Sequence, residues 1–331
     1  MKVAVLGAGS WGTTVASLTA ARNQTTLWAR DGEVVAEINA DHCNSKYLKG
    51  YPLPPALRAF CELGEAVADA DVVIVGIPSQ NFRSVLEQCA PHIRPWIPIV
   101  SLTKGFERGT VLRMTEVIKD VLPGHPAAAL TGPNLAKEVM AGYAAGAVIA
   151  TEDLSVARAL QSVFHRSFFR TYTNHDVLGC EVAGALKNVI AIAAGMAEGL
   201  SVGDNTRAAV VSRGLAELAR LGTAMGGQAT TFSGLAGLGD LVATCMSPQS
   251  RNRYVGEQLG KGRKLPEILT EMNMVAEGVK TAETVMVLSE RHGITMPICR
   301  TVYRVLEGEI DAAAAYAGLL QVRPGHEHDP D

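Results

Sequence analysis

Short apolar runs alternate with helical patterns through the first half of the chain. Val3–Leu6 is followed by a glycine-rich turn and a helical pattern over Thr13–Arg22. Further runs stand at Thr25–Ala29, Asp71–Pro78, Ile97–Leu102, Ala127–Thr131 and Ala147–Ala150, with a last strand expected at Phe168–Thr173. Strands alternating with helices imply an α/β fold built on a parallel, doubly wound sheet. The segment Asn44–Leu57 breaks the pattern. It carries Pro52, Pro54 and Pro55 with Tyr47 and Tyr51, and reads as a loop over the sheet.

The pattern changes after about residue 175, where helical stretches replace strands. Glu181–Leu200 reads as one long helix, apolar nearly all round, and so buried in its own domain or against a second subunit. Thr206–Met225, Arg251–Leu259, Thr281–His292 and Thr301–Leu306 are further helical stretches. The expected organisation is a dinucleotide-binding domain of Rossmann type over 1–175 and a mostly helical domain over 176–331. The latter ends in a polar tail, Arg323–Asp331, that reads as disordered.

The reason for expecting a dinucleotide is the first turn. Gly7, Gly9 and Gly12 form G-x-G-x-x-G immediately after a strand and at the opening of a helix. Gly7 permits the tight turn, Gly9 lets a pyrophosphate approach the backbone, and Gly12 lets the helix pack on the strand. The helix N-terminus offers free N–H donors to the phosphates. The same residues could be read as a secretory signal. Ser10, Trp11 and the glycines interrupt the apolar stretch, however, and cleavage would remove a strand that Thr25–Ala29 should pair with.

Composition narrows the function. The chain has 331 residues, 47% of them hydrophobic, and a formal net charge of −3. No broad basic field argues for nucleic acid, so any anion site must be local. No uninterrupted apolar run reaches the ~18 residues of a membrane span; Val189–Leu200 is shorter and contains Glu198. The six cysteines, Cys43, Cys61, Cys89, Cys180, Cys245 and Cys299, include no C-x-x-C. Neither a disulfide framework nor a zinc site is expected, and a reducing cytoplasm fits. His326-Glu327-His328 lies in the polar tail and is not read as a metal site.

Candidate chemistry gathers at strand ends and on the helical half. Arg30 and Asp31 close the second strand, where an acid takes the ribose hydroxyls of NAD and an Arg accommodates the 2′-phosphate of NADP. Arg30 favours NADP, with NAD as a second cofactor, while Asp31 also fits as the N-cap of the next helix. Pro78 and Ser79 should border the cofactor. Lys104, in Thr103-Lys104-Gly105, sits where a cation would attract a phosphorylated or carbonyl substrate. Gly132-Pro133-Asn134 forms another strand-to-helix turn with exposed N–H groups, with Pro133 in the first helical turn.

Lys187 stands amid apolar residues in Ala183–Gly195, with Asn188 beside it. Burial disfavours a charged lysine, which is how a lysine serves as acid/base near neutral pH. Gly234–Asp240 lacks the Lys-Ser or Lys-Thr of a P-loop and reads as a tight turn presenting Asp240, which could compensate Lys187. Ser250 fits an N-cap with Arg251 and Asn252 in the first turn. A cation there opposes the helix dipole, a mismatch that an anionic ligand would relieve. Together these features point to hydride transfer involving a small phosphorylated alcohol or ketone. Two other readings stay open: another hydroxyacid or phosphogluconate-type dehydrogenase of the same plan, and a non-catalytic NADP-binding sensor.

The residues GAGSWG at 7–12, TKG at 103–105, GP at 132–133, LKNVIAI at 186–192, GLAGLGDL at 234–241 and SRN at 250–252 resemble those of the bacterial NAD(P)-dependent glycerol-3-phosphate dehydrogenase family. The resemblance extends to about residue 320. It implies reduction of dihydroxyacetone phosphate to sn-glycerol 3-phosphate, feeding glycerophospholipid synthesis. It implies that Ser10, Trp11, Arg30, Lys104, Ala136, Arg251, Val275 and Glu277 contact the cofactor. Lys104, Gly132, Asn134, Lys187, Asp240, Ser250, Arg251 and Asn252 would hold the substrate, with Lys187 as acid/base assisted by Lys104 and Asp240. The family usually has Ser or Thr where this chain has Asn134. A cytoplasmic homodimer is expected, without nucleic acid, metal or stable membrane insertion.

Overall fold

The computed structural model of the chain describes residues 1–272 and 275–319. The polar tail, with His326-Glu327-His328, lies outside the described residues. The chain divides into two compact units, Met1–Val177 and a second beginning at Leu178.

The first unit is a sheet of eight strands with helices on both faces. Its strands are β1 (Lys2–Leu6), β2 (Gln24–Trp28), β3 (Arg58–Phe60), β4 (Val72–Val75), β5 (Ile99–Ser101), β6 (Ala127–Thr131), β7 (Ala145–Ala150) and β8 (Phe169–Asn174). The helices are α1 (Ser10–Ala20), α2 (Gly32–Asp41), α3 (Ser45–Leu48), α4 (Leu63–Val67), α5 (Ser79–Cys89), α6 (Met114–Val121), α7 (Ala136–Met140) and α8 (Leu154–Phe164). The strand order is β3-β2-β1-β4-β5-β6-β7-β8.

Central strands are apolar up to their last residue because both of their faces are covered: every residue of β4 and of β6 is buried. Alternation along β1 then divides the core. Val3 and Val5 join Leu27, Ile74 and the buried face of α1, whereas Ala4 and Leu6 join Val73, Val75 and the apolar sides of α5 and α6. The chain leaves β1 in one direction to β2 and β3, then returns to β4 on the other side of β1. That reversal is the switch point at which α/β sheets bind ligands.

The sheet is not wholly parallel: β7 runs antiparallel to β6, and β8 runs parallel to β7. Residues between β6 and β7 include only the five-residue α7, and the chain re-enters the sheet from the edge it left. The Gly132–Asn134 turn is thereby kept at the carboxyl edge of the parallel strands. Two local expectations also change. Pro133 precedes α7 instead of starting it, since Leu135 is the N-cap. The Asn44–Leu57 loop contains α3, capped by the Asn44 side chain.

The second unit is helical: α9 (Val177–Gly199), α10 (Asp204–Ala224), α11 (Ala229–Ser233), α12 (Asp240–Met246), α13 (Arg251–Gly260), α14 (Leu265–Glu271), α15 (Glu277–His292), α16 (Pro297–Leu306) and α17 (Ala312–Leu319). Its axis is α9, which is long and apolar enough to cross a membrane by length and composition, yet 89% of its most apolar stretch is buried. The short-run reading of Val189–Leu200 therefore understated this helix, because Cys180–Leu186 extends it. Burial occurs inside the unit. A Cβ on Gly214 of α10 would lie 2.4 Å from the Ile190 side chain, and one on Gly256 of α13 would lie 2.0 Å from the Ile192 carbonyl oxygen. Small residues thus let α13 pack backbone to backbone against α9. The expected tight turn at Gly234–Asp240 is instead a π-helical turn, Leu235–Gly239, running directly into α12.

Candidate active site

At the end of β1 the glycines do what their spacing implies. Gly7 has φ +111°, and a Cβ there would sit 2.6 Å from the Gly76 carbonyl oxygen at the end of β4. A Cβ on Gly12 would fall 1.9 Å from the Gly7 carbonyl oxygen, whereas one on Gly9 would meet nothing within 4 Å. Gly7 and Gly12 close the turn, and Gly9 leaves open space above the backbone. Gly9 is the N-cap of α1 and supplies no side-chain acceptor to its first N–H groups. These features fit a dinucleotide pyrophosphate. Ser10 and Trp11 open the helix, and Trp11 packs at 6.3 Å between ring centroids on Phe169. We expect Gly12→Ala to cost ~3 kcal/mol or more of stability, read as a lowered urea midpoint together with lost dinucleotide binding.

Arg30 at the end of β2 is exposed and makes no hydrogen bond or ion pair among the described residues. Asp31 is engaged twice. Its Oδ1 accepts from the Glu33 N–H at 3.0 Å as the N-cap of α2, and its Oδ2 accepts from Lys46 Nζ at 2.8 Å. The Lys46 hydrogen bond holds the Asp31 carboxyl below the usual carboxylate range, and Asp31 raises Lys46 in return.

The neighbouring strand ends are tied together. Thr103 Oγ1 donates to the Ile77 carbonyl at 2.6 Å, and Lys104 Nζ donates to the Gly132 carbonyl at 2.9 Å. Ser79 is buried at the start of α5, beside Pro78. Asn134 Nδ2 donates to the Gly146 carbonyl at 3.0 Å, which turns Oδ1 away. That Oδ1 and the Thr131 Oγ1 are buried polar atoms without a hydrogen-bond partner among the described residues. An acceptor left without a donor inside a protein is unfavourable, and a hydroxyl-bearing ligand would satisfy it. Ala136 begins α7, next to this turn.

In the second unit, Lys187 on α9 and Asp240 on α12 are 5% and 2% exposed, and Lys187 Nζ lies 2.8 Å from Asp240 Oδ1. Lys187 Nζ also donates to Thr244 Oγ1, four residues along the same face of α12, at 2.5 Å. Thr244 in turn donates to the Asp240 carbonyl at 2.7 Å. Cys245 contributes no charge: burial pushes its thiol up to about 12. A buried ion pair is costly to desolvate and adds little net stability, so its presence marks a candidate functional site.

Beside this pair lies the N-terminus of α13. Ser250 is its N-cap, accepting from the Arg253 N–H at 3.2 Å. Asn252 Nδ2 donates to Asn188 Oδ1 at 2.8 Å, while Asn252 Oδ1 accepts from the Gly278 N–H at 3.0 Å. Arg251 Nη1 donates to the Val275 carbonyl at 2.8 Å, and Glu277 lies close enough to interact with its charge. Ser250, Arg251, Asn252, Val275 and Glu277 are therefore brought together, with the remaining guanidinium donors of Arg251 at the end of a helix whose first N–H groups seek an anion.

Two family models match the chain. One describes the N-terminus of NAD-dependent glycerol-3-phosphate dehydrogenase and covers residues 2–157; the other describes its C-terminus and covers residues 176–317. This chain belongs to the NAD-dependent glycerol-3-phosphate dehydrogenase family.

Among its relatives, glycerol-3-phosphate dehydrogenase (NAD(P)+) 2 of Sphingopyxis alaskensis is 58% identical over 330 residues, covering 100% of this chain and 99% of the relative. Glycerol-3-phosphate dehydrogenase (NAD(P)+) of Mycobacterium avium is 53% identical over 327 residues, covering 98% of this chain and 96% of the relative. The crystal structure of glycerol-3-phosphate dehydrogenase from Coxiella burnetii superposes with a TM-score of 0.93 at 37% identity, covering 97% of this chain and 99% of that one.

Thr244, Asn44 and Lys46 were not among the residues expected at the site. Thr244 had a signal, an Asp-x-x-x-Thr spacing that puts both side chains on one helical face. Asn188 does more than stand beside Lys187, since its Oδ1 accepts from Asn252 and anchors it. Asn44 is fully buried and donates to the Ala8 carbonyl at 3.0 Å and to Thr13 Oγ1 at 2.9 Å, bracing the glycine turn. No local pattern announces that contact, because it joins residues far apart in the chain.

Proposed function

We infer that this enzyme reduces dihydroxyacetone phosphate to sn-glycerol 3-phosphate with a reduced nicotinamide cofactor, reversibly, and that its product feeds glycerophospholipid synthesis. The observation that carries this reading is the buried Lys187–Asp240 pair in the same unit as an α13 N-terminus that bears Arg251. An acid and an anion clamp are what reduction of a phosphorylated ketone requires.

When bound, the cofactor supplies the hydride. Gly7, Gly9, Gly12, Ser10 and Trp11 would hold it at the first turn of α1, Arg30 at its 2′-phosphate, and Lys104, Ala136, Arg251, Val275 and Glu277 along its length. The substrate phosphate would be held by Arg251, by Ser250 and by the N–H groups opening α13, with Asn252 fixing the orientation of that helix end. Gly132 and Asn134 would receive the substrate hydroxyl, the orphaned Oδ1 of Asn134 acting as acceptor. As the C2 carbonyl becomes an alkoxide, Lys187 and Lys104 offset its charge and Lys187 delivers the proton. Asp240 keeps Lys187 oriented and Thr244 restricts its ammonium. The same reading includes a homodimer in the cytoplasm, testable by sedimentation and cell fractionation.

The direct test follows the loss of reduced-nicotinamide absorbance with dihydroxyacetone phosphate and each cofactor. Turnover of 2-hydroxy or 2-keto acids in its place would overturn the substrate assignment. NADPH is expected to be preferred. Arg30→Ala should then weaken NADPH by roughly 10- to 150-fold, the worth of a charge-assisted contact, and leave NADH nearly unchanged. Equal losses would remove Arg30 from the 2′-phosphate.

A further inference from the structure

We propose that Lys46 sets cofactor preference by neutralising Asp31, so that the end of β2 accepts the 2′-phosphate of NADPH. The proposal rests on the reading that Arg30 holds this phosphate. An acid at the end of this strand ordinarily accepts hydrogen bonds from ribose hydroxyls, and its charge repels a phosphate at the same place. This chain has such an acid directly after Arg30. Its two oxygens are both engaged, Oδ1 by the Glu33 N–H and Oδ2 by Lys46 Nζ at 2.8 Å. With Lys46 present, Arg30, Asp31 and Lys46 together carry a net positive charge; without it, Arg30 and Asp31 cancel. Glu33 also faces Lys46 and adds to the negative charge that the lysine must offset.

Lys46 reaches this position through a dedicated arrangement. It lies on α3, whose N-cap Asn44 donates to Ala8 of the glycine turn and to Thr13 of α1, and accepts from the Tyr47 N–H at 3.3 Å. The helix carrying the lysine is thus fastened to the loop expected to bear the pyrophosphate. The Lys46–Asp31 pair is 51% and 35% exposed, and exposed pairs contribute little to folding. Its effect is therefore sought in what binds nearby.

The test compares wild type, Lys46→Met, Lys46→Arg, Asp31→Asn and the double variant Asp31→Asn/Lys46→Met. Dissociation constants for NADPH, NADH and 2′,5′-ADP are measured by fluorescence titration without substrate, with thermal unfolding as the folding control. Asn also caps helices well, so Asp31→Asn should fold. Lys46→Met should weaken NADPH and 2′,5′-ADP by about tenfold, as for loss of one charged contact, and leave NADH nearly unchanged. Lys46→Arg should retain the preference, and removing the Asp31 charge as well should restore most of the lost NADPH affinity. Equal weakening of NADPH and NADH, or a double variant no better than Lys46→Met, would overturn the proposal. Arg30→Ala separates the two levels. If it weakens both cofactors alike, the NADP reading fails. If it is selective while Lys46→Met is not, only the role of Lys46 fails.

Discussion

Lys187→Met should fold and bind NADPH, yet lose turnover by about 100- to 10,000-fold, the usual contribution of a positioned acid. Methionine keeps the length and apolar stem of lysine and removes the proton donor. Lys187 is buried and pairs with Asp240 at 2.8 Å, so the variant also leaves a buried carboxylate without its cation. Breaking a buried pair from one side typically costs ~3–5 kcal/mol, and a lowered unfolding midpoint is expected too. Turnover must therefore be normalised to folded, NADPH-binding protein. Asp240→Asn/Lys187→Met removes both charges and should regain stability without regaining activity. A single variant with parental turnover across neutral pH would exclude Lys187 as the acid.

The second large effect belongs to Arg251. Arg251→Ala should lower kcat/KM for dihydroxyacetone phosphate by roughly 10- to 150-fold, the range for a charge-assisted hydrogen bond. The rate with unphosphorylated dihydroxyacetone should change far less. Binding energy from a remote phosphate helps hold the carbonyl in reacting position, so part of the loss falls on kcat. The Val275 carbonyl loses its guanidinium partner in the same variant, and a smaller loss of cofactor affinity should accompany the main effect. Arg251→Lys keeps the charge and loses the fork, and is expected to fall between the two. If the variant still prefers the phosphorylated substrate as strongly as the parent, the phosphate is held elsewhere.

What could be read from the chain was local. Val3–Gly12 specifies strand, turn and helix within a dozen residues, and the structure places its glycines as their spacing implies. Ser250–Asn252 was legible for the same reason: an N-cap and a misplaced cation are neighbours in sequence. Direction was not legible. The apolar run of β7 carries no mark of running antiparallel to β6, because alternation reports burial and not orientation. β3 was missed because three residues after a proline cluster are too few for periodicity to register. The Lys187–Asp240 pairing was reachable only as a guess that two chemically matched residues would meet. Asn44 and Lys46 offered no such match, since their partners lie on elements that only the fold brings near.

The apolar helix α9 has a consequence for how this protein must be made. It leaves the ribosome ahead of α10 and α13, whose Gly214 and Gly256 close over Ile190 and Ile192. Until those segments are synthesised, a nascent chain displays a stretch hydrophobic enough to be drawn into a bilayer or into aggregates. A chain cut shortly after about residue 200 is expected to aggregate more readily than one cut after residue 175, which a comparison of their soluble fractions on expression would check. The helices that pack on α9 are thus the cover that its apolar surface requires once the chain is complete, with 89% of its most apolar stretch buried.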